Sequence, residues 1–221
     1  GGKVIVWADG RTSYAGHISA TGGFVEVSGK QSLSFTGSVV ANTVLLDPTT
    51  FSVEAVNPDI DGNGTPGDDI TALTDLDDAA LDFPGAASII TAGAVNGLLT
   101  GVNTLSLAAT TSGTFNAAVA GGGNASLSVT APTVFLNAPI TLAGTGVLSG
   151  TATTVNVGAA GLVQNGIDVA SATVKATVNV AAGTFTEDLV IPATKTLGIE
   201  LSGAGAGSSI IKGVAMTAAA S

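Results

Sequence analysis

Half of the 16 acidic residues in this 221-residue chain fall in one stretch. Between Asn57 and Asp82 stand Asp59, Asp61, Asp68, Asp69, Asp75, Asp77, Asp78 and Asp82. Within it, Asp59-Ile60-Asp61-Gly62-Asn63-Gly64 reproduces the first half of a D-x-D-x-N-G calcium loop. Hard oxygen ligands at alternate positions, with Gly for the sharp turn, are what Ca²⁺ coordination needs. The second half departs from the pattern: Ile70 stands where the closing Glu belongs, and helical flanks are missing. Asp68 or Asp69 would have to complete the shell. The candidate ligands are therefore Asp59, Asp61, Asn63, Asp68 and Asp69, and Ca²⁺ is the one candidate cofactor. The alternative is a solvated insertion whose Asp and Gly residues serve turns. A bound cation would relieve the mutual repulsion of the carboxylates. The segment from Asp75 to Leu81 has an acidic start suited to a short helical turn.

Other chemistry has few members to draw on. His17 is the single histidine, Arg11 the single arginine, and cysteine is absent. Nucleophilic triads, thiolate catalysis and zinc–sulfur sites therefore lack components. Glu187 and Asp188 are adjacent in a strand-like pattern, where neighbours point to opposite faces, and they read as turn and surface groups. Residues 83–167 contain no charged side chain. The expectation is a chain without catalytic residues. An enzyme reading would need the acidic stretch to share a groove with Lys175 or Lys195. Trp7 and Tyr14 are each the single residue of their type. They read as coil packing, with sugar stacking as the alternative.

The elements that would carry these residues are strands. The chain is 45% hydrophobic, 4% aromatic and 10% charged, with 31 glycines. Thr, Val, Ser, Gly, Ala and Asn dominate, most of which disfavour helix through χ1 restriction or backbone entropy. Short apolar/polar alternations such as Phe24–Ser28, Ser32–Thr36, Thr104–Ala108 and Thr133–Asn137 are separated by Gly, Asn or Pro. They also recur. Asn103–Leu107 returns about 22 residues later as Ala125–Val129, and Thr154–Val157 returns about 23 later as Thr177–Val180. A period near 20–23 residues suits one coil of a parallel β-solenoid and is too short for a propeller blade. Val, Leu and Ile would form inward ladders, with Gly and Asn at the corners and Thr, Ser and Asn outside. An antiparallel sandwich is the competing architecture. The whole chain would give on the order of ten coils and a rod of about 50 Å. The expected organisation is coils over 1–56, an acidic loop or insertion over 57–87, and further coils over 88–221.

Composition also excludes partners. Six Lys+Arg against 16 Asp+Glu, a net charge of −10, leave no cationic footprint for nucleic acid. No apolar run is long enough for a transmembrane helix. The start Gly1-Gly2-Lys3 carries no signal-peptide pattern and already reads as strand, so an internal slice of a longer chain is expected. Strand-like text at both ends points to stacking on flanking coils or on other copies of the chain.

Two stretches are more specific than the rhythm. GGKVIVWADGRTSYAGHISATGG, then FVEVSGKQSLSFTGSV, then LLDPTTFSV within residues 1–53 resemble the repeat region of filamentous-haemagglutinin-type exoproteins. These are large adhesins exported by two-partner secretion from Gram-negative bacteria. Ser88–Leu107 is similar to the coil that follows this motif in the family. Ala20–Gly23 is a departure, being short where family members often carry further Gly-rich coils. Thr177–Pro192 through Leu201–Ile211 is similar to the opening coil of pectin-lyase-like β-helices. Both resemblances imply a right-handed parallel β-helix. The first implies an extracellular, cell-surface structural and adhesive rod. The alternatives are a self-assembling filament stacked end to end and a carbohydrate-active β-helix enzyme. Separately, the regular outward Thr and Asn ladders would present a flat face to host or matrix glycans or to another rod, the alternative being simply what exposed strands tolerate.

Overall fold

The structure, a computed structural model, describes residues 1–55 and 88–213. Its strands form parallel ladders wound into a β-solenoid of about eight turns. Hydrogen-bonded equivalents such as His17 and Ser38, or Asn116 and Asn137, lie 21 residues apart, and Asn156 and Asn179 lie 23 apart. These separations are the sequence period, and the sandwich is set aside.

One side is a six-stranded sheet built from Lys3–Ala8, His17–Gly29, Ser38–Leu46, Thr104–Ala108, Ser126–Thr130 and Leu148–Gly150. Its inward positions stack like on like: Val4, Val25, Val44, Leu105, Leu127 and Leu148 form one continuous file. The inner members of that file have no solvent exposure. Burying aliphatic area along the whole axis, about 25 cal/mol per Å², is what holds such a coil closed. Between Ala20 and Phe24 the register shifts. Gly22 there has φ +69°, and a Cβ on Gly23 would stand 2.1 Å from Gly2 O. The short Gly-rich departure in the motif is thus a bulge that only glycine fits.

The facing side is a nine-stranded sheet, and its order is not that of the sequence. Arg11–Tyr14 is followed along the axis by Ser32–Phe35, then Ile89–Thr91, then Thr50–Glu54. Ser112–Phe115, Thr133–Leu136, Thr154–Val157, Ala176–Val180 and Ile199–Gly203 follow. Ile90 therefore pairs with Phe35 on one edge and with Val53 on the other. Among the described strands, Ile89–Thr91 comes after Thr50–Glu54 in the sequence yet fills the rung between it and Ser32–Phe35. Asn103 then bonds Asn42 across a separation of 61 residues. The described residues form about eight turns, where uniform coiling of the whole chain predicts ten.

The third side departs from an all-strand reading. Helix α1 (Ala92–Gly101) and helix α2 (Val163–Val169) flank, along the axis, the two-stranded sheet of Val119–Gly121 and Ile140–Leu142. Thr91 caps α1, its Oγ1 accepting from Ala94 N at 3.2 Å. Each helix also seals a strand with an asparagine. Asn96 Oδ1 accepts from Ala120 N at 2.9 Å, and Asn165 Oδ1 accepts from Ile140 N at 2.8 Å. Backbone amides that a further strand would have taken are thereby satisfied.

Candidate functional site

The five candidate calcium ligands, Asp59, Asp61, Asn63, Asp68 and Asp69, and the Asp75–Leu81 segment lie outside the described residues. Among the described residues no group of three or more His, Cys, Asp or Glu converges to hold a metal.

The residues weighed for acid–base chemistry have structural partners. Glu187 accepts from Val163 N at 2.8 Å and from Gln164 N at 3.0 Å, so its carboxylate sits on the N-terminus of α2. Lys195 Nζ donates to Asp168 O at 3.1 Å and to Ala170 O at the other end of the same helix. A carboxylate on the free N–H groups and an ammonium on the terminal carbonyls complement the helix dipole. Burial pushes Lys195 below the usual lysine range, and nearby Asp168 partly offsets this. Lys175 pairs with Glu200 at 2.8 Å on the surface, which lowers the Glu200 pKa. Glu187 is thus more than a turn group: sequence adjacency hid a contact made 24 residues back along the chain.

Tyr14 packs as expected, stacked on Phe35 with ring centroids 5.4 Å apart. Burial raises its phenol pKa. Trp7 does not pack that way. It is an outward residue of Lys3–Ala8 and remains 54% exposed, beside Ile5 at 51%. His17 is an exposed strand residue whose Nδ1 lies 2.8 Å from Ser38 Oγ.

What the fold does bring together is an amide-rich corner on the nine-stranded sheet. Two outward files run along this face. One is Thr50, Ser112, Thr133, Thr154, Thr177 and Glu200. The other is Ser52, Thr114, Phe135, Asn156, Asn179 and Ser202. Beside the second file, at the strand ends, a third begins with Glu54, Asn116 and Asn137. Asn116 Nδ2 donates to Glu54 Oε1 and Asn137 Nδ2 donates to Asn116 Oδ1, both at 2.7 Å. The backbone continues the corner, Gly158 N donating to Leu136 O and Ala181 N to Val157 O, each at 2.9 Å. The side chains do not continue, because Gly158 and Ala181 occupy the places where the next asparagines would stand. The missing bulk opens a groove of about 390 Å³ between Asn137 and Ser202, walled by Asn156 and Asn179. Among the described residues, none that lines it is charged. The repeat spacing predicted outward Asn and Ser files; the interruption at Gly158 is visible in the sequence only once Asn116, Asn137 and Gly158 are known to share a corner.

No protein-family model matches the chain, and no curated protein or solved structure matches it. No helix among the described residues is long and apolar enough to cross a membrane.

Proposed function

We propose that this chain is a rigid, non-catalytic rod segment of a secreted bacterial cell-surface exoprotein, serving adhesion. The observation that carries the reading is the unbroken parallel ladder of nine strands with an aliphatic core along its axis. Coils that bond only to their neighbours extend in one dimension, and load along or across the rod is shared by many parallel hydrogen bonds. Sheet faces of Thr, Ser and Asn suit a surface exposed along its length. The likeness of residues 1–53 to two-partner-secreted adhesins, and of Thr177–Ile211 to pectin-lyase-like coils, supports the setting.

Negative-stain electron microscopy of the purified chain tests it. Isolated thin rods of one length are expected. Compact particles of no preferred axis would sink the rod, and long filaments with a short axial repeat would move the reading to a self-assembling fibre.

A further inference from the structure

We propose that the corner groove beside Asn156 and Asn179 binds a neutral oligosaccharide. The proposal supplies a ligand class for the adhesive role, and rests on that role only for its biological setting.

The argument starts from hydrogen-bonding capacity. An asparagine side chain has one acceptor oxygen and two donor hydrogens on nitrogen. Asn179 Nδ2 donates to Asn156 Oδ1 at 3.0 Å. Among the described residues this bond leaves Asn156 Nδ2 and Asn179 Oδ1 without partners, a donor and an acceptor on one half-buried wall. A third group waits at the end of the groove. Asn137 spends its Nδ2 on Asn116, and its Oδ1 is aimed at the empty place beside Gly158, where a Cβ would stand only 2.7 Å away. The polar groups are therefore unused acceptors and donors spaced along the axis by the rung repeat, about 4.8 Å.

The floor selects among ligands. Gly158 and Ala181 offer a small, apolar surface against which the face of a sugar ring can lie, while its hydroxyls meet the amides. Phe135, one rung from Asn156 in the same file and 36% exposed, extends the surface with an aromatic ring. Mostly apolar concavity with a few placed polar groups is the usual form of a small-molecule site. An anionic chain finds no cation among the described residues of the groove. A peptide strand finds no free sheet edge there either, since Gly158 N and Ala181 N are spent on the coil below. A neutral, hydroxyl-rich chain running along the rod is what remains.

The test is titration of the isotope-labelled chain with neutral hexasaccharides, followed by NMR of the asparagine side-chain amides. The probes are β-1,4-linked glucose, α-1,4-linked glucose and β-1,4-linked N-acetylglucosamine, with a sulfated hexasaccharide as the charged comparison. At least one neutral probe should shift the Asn156 and Asn179 signals saturably. Asn156→Ala should weaken that binding about tenfold, the effect of one hydrogen bond. Ala181→Asn refills the corner without removing a contact and should abolish binding while the backbone spectrum stays folded. No shift with any neutral probe at millimolar concentration overturns the proposal. So does a shift seen only with the sulfated probe, or binding that survives Ala181→Asn. None of these results touches the rod itself, which microscopy reports separately.

Discussion

The Glu187 carboxylate accepts the Val163 amide at 2.8 Å from 24 residues further along the chain. Helix α2 has no side-chain cap of its own, Leu162 standing at its N-cap. The coil that follows supplies both ends, Glu187 at the amides and Lys195 at the carbonyls, and Gln164 locks the two together. Gln164 Oε1 accepts from Val190 N at 2.8 Å and its Nε2 donates to Val190 O at 3.0 Å. A seven-residue helix is too short to persist unaided. Its presence therefore depends on the next turn of the solenoid.

Glu187→Ala should accordingly loosen α2 before it affects the ladders. Losing a capping acceptor costs about 1–2 kcal/mol. Amide exchange of the α2 backbone should accelerate roughly tenfold, with exchange in Thr133–Leu136 unchanged. Uniform acceleration across the chain, or none in α2, would rule out the cap as a local device.

Asn165 makes a sharper case, because it is 6% exposed and its Oδ1 accepts the Ile140 amide. Asn165→Ala leaves that amide without a partner in the core, at a cost of about 1–3 kcal/mol. Asn96 does the same for Ala120 at an exposed position where water can substitute. Asn96→Ala should therefore cost less. Urea midpoints of the two variants measure the difference, and equal losses would show that burial is not what sets it.

These two contacts mark where the sequence stops being readable. The strand files were legible because each inward residue reports its own burial: the alternation in Thr104–Ala108 or Thr154–Val157 needs no partner to be seen. The period followed from comparing such segments. The helices were missed although α1 places Ala92, Val95, Leu98 and Leu99 on one buried face. Three glycines and a Thr-rich context masked that spacing. The position of Ile89–Thr91 between Ser32–Phe35 and Thr50–Glu54 had no local signal, because rung order is a long-range property. The groove was hidden for the same reason, as it is the absence of a side chain at Gly158 in a file defined only by the fold.

Gly113 tests the packing of the core directly. In its file it lies between Phe51 and Val134, and a Cβ there would come within 2.2 Å of the Phe51 ring. That ring meets Phe115 edge-on, centroids 5.6 Å apart. Gly113→Ala should destabilise by about 1–3 kcal/mol through overpacking. Adding Phe51→Leu should return part of the loss, since the smaller side chain vacates the clashing volume. Thermal melts of the single and double variants check this. Strictly additive losses would mean that the two positions do not share the space the geometry assigns them.

Asp168 carries the pH dependence of α2. Burial raises its pKa above the ordinary 3.8, outweighing the bond from Gln164 and the charge of Lys195, which lower it. The folded state thus holds the Asp168 proton more tightly than the unfolded chain does. Its contribution is fully present below about the ordinary carboxylate value and is lost as pH rises through the raised folded value. Asp168→Asn keeps an acceptor for Gln164 Nε2, now 2.8 Å from Asp168 Oδ1, and removes the ionisation. The variant should gain stability relative to the parent as pH rises from 3 toward 7, then hold a constant advantage. Melting temperatures of the pair across that range decide the matter, because other carboxylates cancel in the difference. A difference that is flat with pH would show that the Gln164 bond and the Lys195 charge balance burial at this position, and one that shrinks as pH rises would show that they outweigh it.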